Sequence, residues 1–234
     1  MTPGETEVTE AELARARAGE LLTRKTLVYR AARRFFWTFF VLMSRYRRGG
    51  TQHIPRSGAC VIVANHQSYF DIPLVAASTR RHVCFVARDT LAKSRPIAFL
   101  IKWCGAVMVR RGASDRAAIR EIVAHLERGD IVCIFPEGTR STDGRVRAFQ
   151  RGMALVARQA GAPVVPCGIR GTLAILPKDA KVPRPARCSI TYGPPLDPGG
   201  DALERAREAV IALAGDGLFG GGPAAPEPAP PPES

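Results

Sequence analysis

At 234 residues, 46% of them apolar and 24% charged, the chain is long enough for one well-buried domain and too apolar to be disordered throughout. The formal charge is +13, and the two ends (1–20 and 201–234) hold 11 of the 21 acidic residues but only 4 of the 34 basic ones, so residues 21–200 carry +20. A field of that size suits nucleic acid, an anionic membrane surface or a phosphorylated substrate, and charge alone does not choose among them. The six cysteines (Cys60, Cys84, Cys104, Cys133, Cys167 and Cys188) form no Cys-x-x-Cys and lie in or beside apolar runs. They read as small core residues in a reducing compartment. No pair of Cys or His shows ligand spacing, so no metal is expected. The acidic start, Gly4-Glu5-Thr6-Glu7, lacks the basic region of a secretory signal.

Residues 10–24 read as a short charged helix. Residues 26–48 are the least ordinary stretch: the block Phe35–Met43 is bracketed by Arg33 and Arg34 on one side and by Arg45, Arg47 and Arg48 on the other. A bilayer span needs roughly 20 apolar residues, so this block is too short to cross. Aromatic residues flanked by arginines are the composition of a helix lying in the membrane interface. A helix docked on the domain's own core has the same composition. Gly49-Gly50 is expected to end it.

From residue 51 onward, β-rich runs occur at Cys60–Ala64, Val83–Ala87, Ala106–Val109, Ile131–Phe135, Val164–Ile169 and Cys188–Tyr192. Helix-like stretches separate several of them, most clearly 114–128, with Ser114 as its N-cap and Gly129 as its stop. The alternation predicts an α/β fold: a mixed, largely parallel central sheet flanked by helices, with an N-terminal amphipathic membrane-interface helix. Three units are expected: 1–50 helical, 51–214 the α/β domain, and 215–234 a disordered tail rich in Pro, Gly and Ala.

Two motifs follow strand-like runs directly. Asn65-His66-Gln67-Ser68-Tyr69-Phe70-Asp71 comes after Val61–Ala64, at the carboxyl end of a strand, where open α/β sheets bind ligands. An imidazole beside a carboxylate suits a base that removes a hydroxyl proton near neutral pH. On a straight helix, residues five apart differ by about 140°, so His66 and Asp71 meet only if the chain bends before the helix starts. Pro73, tolerated in a helix's first turn, places that start near Asp71. Asp71 equally fits a helix cap, paired with Ser68, and His66 a strand-end residue bonded to backbone.

Phe135-Pro136-Glu137-Gly138-Thr139-Arg140-Ser141 follows the run at 131–135 and should face the same crevice. Gly138 permits close backbone approach, and the planar Arg140 fork suits phosphate. A β-turn with a Glu137–arginine ion pair would use the same residues. Gly105–Arg111 and Val164–Ile169 carry little weight alone. His53, His82 and His125 stand in loop or helix-surface contexts and read as structural or solvated.

Taken together and in this order, the four blocks resemble those of the glycerolipid acyltransferase family, most closely its lysophosphatidic acid acyltransferases, over residues 25–195. The resemblance implies a His66 base oriented by Asp71, and an acceptor site drawn from Asn65, Arg111, Glu137, Gly138, Thr139 and Arg140. Many members carry a lysine soon after the second motif, where this chain reads Phe149-Gln150-Arg151-Gly152, so Arg151 is the expected substitute. Implied with it are phosphatidic acid synthesis from a lysophosphatidic acid and an acyl thioester (acyl-CoA or acyl carrier protein), and no cofactor. The implied site of action is the cytoplasmic side of an anionic membrane, as a peripheral or monotopic protein. Without a Gly-x-Ser-x-Gly elbow, direct attack is expected rather than an acyl-enzyme. Alternatives are another lysophospholipid or amino-lipid acceptor, a thioesterase, or a non-catalytic membrane binder. Nucleic acid is disfavoured, because the aromatics cluster in one block instead of interleaving with the arginines.

Overall fold

The computed structural model describes residues 27–88, 107–109, 116–177, 180 and 182–215. In chain order these form α1 (Leu27–Ser44), β1 (Arg47–Gly49), β2 (Cys60–Ala64), α2 (Asp71–Ser78), β3 (Val83–Arg88), β4 (Val107–Val109), α3 (Arg116–Glu127), β5 (Ile131–Ile134), α4 (Gly152–Gln159), β6 (Val164–Arg170), α5 (Thr172–Ile175), β7 (Ser189–Tyr192) and α6 (Ala202–Gly215). The expected helix at 10–24, the Ser114 cap, Cys104, Arg111 and the tail beyond Gly215 lie outside the described residues.

The sheet runs β1-β7-β6-β2-β5-β3-β4. Strands β6, β2, β5, β3 and β4 are mutually parallel, β7 lies antiparallel to β6, and β1 runs parallel to β7. The expected mixed, largely parallel α/β sheet is what forms. All five residues of β2 are buried, as an unbroken apolar run in the centre of a parallel sheet should be. Its alternate residues feed two cores. Cys60, Ile62 and Ala64 join Phe40, Leu74 and Phe85, whereas Val61 and Val63 join Ile122, Leu126, Met153 and Val210. Helices α1 and α2 thus cover one face, and α3, α4 and α6 the other. A Cβ on Gly168 of β6 would stand 2.5 Å from the α6 backbone at Ala214, so this helix can lie that close only over glycine.

The N-terminal helix departs from expectation. It stops at Ser44, not at Gly49-Gly50; Arg45 takes a left-handed φ of 39°, and Arg47–Gly49 become an edge strand. Hydrogen bonds from Cys188 N–H to the Ser44 carbonyl (3.1 Å) and from Arg47 N–H to the Cys188 carbonyl (3.1 Å) draw the chain into the sheet. The helix is apolar on two sides. Phe40 is wholly buried, and Phe36 and Phe39 pack inward with it against Phe70. Phe35 and Leu42 face outward, 64% and 75% exposed, with Trp37, Val41 and Met43. Core docking and an open apolar face therefore coexist. Among the described residues no helix is long and apolar enough to cross a membrane.

His125 also differs from its reading as a helix-surface residue. It is buried, with Nδ1 2.9 Å from the Asp130 carboxylate and Nε2 3.8 Å from Cys84 Sγ. The five described cysteines are all buried.

Candidate active site

Strands β6, β2 and β5 are parallel neighbours, so their carboxyl ends open on one edge of the sheet. Three loops meet there: 65–70 after β2, 135–151 after β5, and Gly171-Thr172 after β6. The geometry satisfies the bend required above, since α2 begins at Asp71 with Pro73 in its first turn.

His66 Nδ1 lies 2.7 Å from Asp71 Oδ2. That same oxygen accepts the backbone N–H groups of Gln67 (2.6 Å) and Ser68 (2.8 Å), while Oδ1 accepts the Thr172 hydroxyl (2.5 Å). A carboxylate offers about four acceptor positions, and four donors converge on this one, three at Oδ2 and one at Oδ1. Asp71 is fully buried, and both readings of it hold at once. It caps the turn into α2 and it fixes the imidazole. With Nδ1–H donated to Asp71, the lone pair sits on Nε2, and no described residue bonds that nitrogen. The His66 side chain is 15% exposed, enough for a reactant to approach.

The two motif loops are stitched together around this ring. His66 N–H donates to Glu137 Oε1 (3.0 Å), and its carbonyl accepts Ser141 N–H (2.7 Å). The Gln67 amide reaches the Gly144 carbonyl (3.1 Å), and Phe135 stacks on the imidazole with ring centroids 4.3 Å apart. Gly138 adopts φ 66° in the turn closed by its N–H to the Phe135 carbonyl, a conformation that disfavours any side chain.

Glu137 is buried, and its Oε2 has no hydrogen-bond partner among the described residues. Burial outweighs the backbone N–H groups of His66 and Arg147 that favour the charged form, and the Asp71 charge adds to it. The carboxyl is pushed up from 4.5 to about 7. The folded chain holds this proton more tightly than the unfolded chain. Its contribution to stability is therefore complete below about 4.5 and is lost as pH rises to about 7. Glu137→Gln keeps an acceptor oxygen and removes the titration. In urea unfolding at about pH 5 and about pH 8, wild type should lose more stability between the two conditions than the variant. Equal losses would show that this carboxyl does not titrate in a buried state.

The remaining expected residues divide. Arg140 is half-buried, with its guanidinium 3.8 Å from the centroid of the Tyr69 ring; Thr139 is exposed beside it. Arg151 is exposed at the head of α4, next to Gln150, whose N–H bonds the Pro136 carbonyl (2.9 Å). Asn65 corrects the expectation of a substrate contact. It is fully buried, its amide nitrogen donating to the Ile169 carbonyl (2.9 Å) and its oxygen accepting Ile169 N–H (2.7 Å). Both polar atoms serve the β2–β6 junction. Thr172 went unforeseen: nothing in the sequence marks it until β6 is known to lie beside β2. Among the described residues, no three His, Cys, Asp or Glu side chains are placed to hold a metal ion.

A buried carboxylate holding an imidazole whose other nitrogen is free can serve as a general base, and Arg140, on the loop bonded to that of His66, can hold an anion. Residues 45–170, more than half the chain, match the family model described as acyltransferase. The chain is 33% identical over 131 residues to a chloroplastic 1-acyl-sn-glycerol-3-phosphate acyltransferase of Brassica napus (55% of this chain, 38% of that protein). It is 35% identical over 109 residues to a lyso-ornithine lipid O-acyltransferase of Pseudomonas aeruginosa (46% and 41%). It thus spans less than half the length of these curated relatives. The crystal structure of the 1-acyl-sn-glycerophosphate acyltransferase of Thermotoga maritima superposes with a TM-score of 0.68 at 27% identity, covering 85% of each chain. The chain belongs to the acyltransferase family, and the His66–Asp71 pair and the Phe135–Ser141 loop both lie within the matched residues.

Proposed function

We propose that this protein transfers a fatty acyl group from an acyl thioester to the free hydroxyl of a lysophosphatidic acid, giving phosphatidic acid. The observation that carries the reading is His66, tied through Nδ1 to a buried carboxylate and open at Nε2, on the loop stitched to that of Arg140. Nε2 takes the hydroxyl proton as the oxygen attacks the thioester carbon. The tetrahedral intermediate collapses, the C–S bond breaks, and the imidazolium returns its proton to the departing thiolate. No acyl-enzyme is needed, because the thioester is already activated. Asp71 holds the ring and stabilises the imidazolium. Arg140 takes the acceptor's phosphate, with Arg111 and Arg151 as further cations and Glu137, Gly138 and Thr139 shaping the acceptor site.

The donor is acyl-CoA or acyl carrier protein, both acidic and suited to a surface of net positive charge. The outward face of α1, with Phe35, Trp37 and Leu42 between exposed arginines, suits a peripheral position on the cytoplasmic leaflet of an anionic membrane. A second reading, an amino-lipid acceptor, is favoured by the likeness to the lyso-ornithine lipid enzyme.

One experiment separates these readings. Wild type and Arg140→Ala receive lysophosphatidate, monoacylglycerol and lyso-ornithine lipid together on anionic vesicles with acyl-CoA, and products are identified by mass spectrometry. Phosphatidate should dominate, and Arg140→Ala should cut that preference by about tenfold or more, the worth of a charged hydrogen bond. Dominant ornithine lipid would overturn the reading. In the same vesicles, Phe35→Ser with Leu42→Ser should abolish sedimentation of the protein; retained sedimentation would remove α1 as the anchor.

A further inference from the structure

The Arg140–Tyr69 contact is unusual in what it leaves unused. Two acids flank Arg140 within three residues, Glu137 and Asp143. Glu137 turns Oε1 to the His66 amide, and Asp143 Oδ1 accepts the Ser141 hydroxyl (2.7 Å) and Arg145 N–H (3.1 Å). Among the described residues Arg140 forms no ion pair. Its guanidinium lies instead over an aromatic face, 3.8 Å from the ring centroid. A carboxylate partner would occupy the N–H fork and cancel the charge. A ring face does neither: it attracts the cation while the N–H edges remain available. Tyr69 is 38% exposed and stands three positions after His66, and the residue following Arg140 bonds the His66 carbonyl. The ring therefore holds an uncommitted cation within the loop pair that carries the base.

We infer that Tyr69 is a positioning residue for acceptor specificity: its ring presents the Arg140 guanidinium, with its donors unspent, to the phosphate monoester of a lysolipid. The inference rests on the phosphate-acceptor reading above and names the residue that sets its selectivity. A planar fork braced from one side meets phosphate oxygens edge-on, through paired hydrogen bonds. A zwitterionic amino-lipid headgroup offers no such dianion and gains little from the arrangement. The contact uses the ring and not the phenol hydroxyl, so phenylalanine should serve equally well.

The test compares Tyr69→Leu, Tyr69→Phe and Arg140→Ala with wild type, using lysophosphatidate and monoacylglycerol as separate acceptors. The quantity read is the ratio of kcat/KM for the first over the second. Both acceptors are measured in one preparation, so partial unfolding lowers both values and leaves the ratio unmoved. Tyr69→Leu should lower the ratio about three- to fivefold, through KM for lysophosphatidate, which is the effect of losing an exposed cation–π contact. Tyr69→Phe should restore it, and Arg140→Ala should lower it further. If Arg140→Ala lowers the ratio while Tyr69→Leu matches wild type, the Tyr69 inference is overturned and the acceptor reading survives. If Tyr69→Phe behaves as Tyr69→Leu, the ring-face argument is wrong. Should wild type show no preference for the phosphate-bearing acceptor, the acceptor reading fails and this inference fails with it.

Discussion

His66→Ala should lower acyl transfer by about 10²–10⁴-fold while the protein still folds, the range expected on losing a positioned general base. The argument for a preserved fold is that His66 is tied into the structure through its main chain. Its N–H to Glu137 and its carbonyl to Ser141 do not depend on the side chain. What alanine removes is the imidazole, its stacking on Phe135 and its one bond to Asp71. Single-turnover product formation, read beside a thermal melt, separates chemistry from folding. Transfer within about threefold of wild type would remove His66 from the mechanism, because proximity alone would then be supplying the rate.

The second large effect is expected at Asp71→Asn. Asparagine matches the carboxylate in shape, and its single oxygen can still accept the Gln67 and Ser68 amides. With its oxygen at the Oδ2 position and its NH₂ toward Thr172, it still accepts from Nδ1 but cannot supply the charge that stabilises an imidazolium. Turnover should fall by roughly 10³–10⁴-fold. Stability should fall by about 1–3 kcal/mol, because four donors now compete for fewer acceptors at a site closed to water. Alanine is the poorer test, since it leaves two buried N–H groups unpaired and confounds folding with catalysis. Steady-state kinetics with urea unfolding of the same sample decides the matter. A loss of less than about tenfold would mean the carboxylate is a helix cap alone.

How far the site could be read in advance depended on whether its contacts were local. The bend between His66 and Asp71 follows from the 100° step of a helix and from Pro73, both visible within eight residues. Strands β2, β5 and β6 match their apolar runs to within one residue, because a central parallel strand is buried on both faces. The misses are long-range. Arg47 and Arg48 read as a helix flank until Ser189 and Ile190 are known to lie beside them in the sheet. Asn65 is a sheet clamp only because Ile169 stands opposite, and Thr172 reaches Asp71 only because β6 neighbours β2.

His125 and Asp130 sharpen the point, since their spacing is that of His66 and Asp71 and their contact is equally real, at 2.9 Å. Yet Asp130 immediately precedes β5, at the amino edge of the sheet, and the Nε2 of His125 is turned to Cys84 in the core. Spacing produces the pair; the edge of the sheet on which it falls decides whether a reactant can reach it.

Phe70 has a mechanical consequence. Its ring touches Phe36, Phe39 and Phe40 of α1, and the next residue in the chain is the carboxylate that holds the imidazole. The outer helix is thus joined to the imidazole through ring contacts one residue from the carboxylate that holds it. On the membrane placement proposed above, the height of Nε2 over the lipid surface would be set by this stack of aromatic rings, and the proposed acceptor's hydroxyl would have to reach that level.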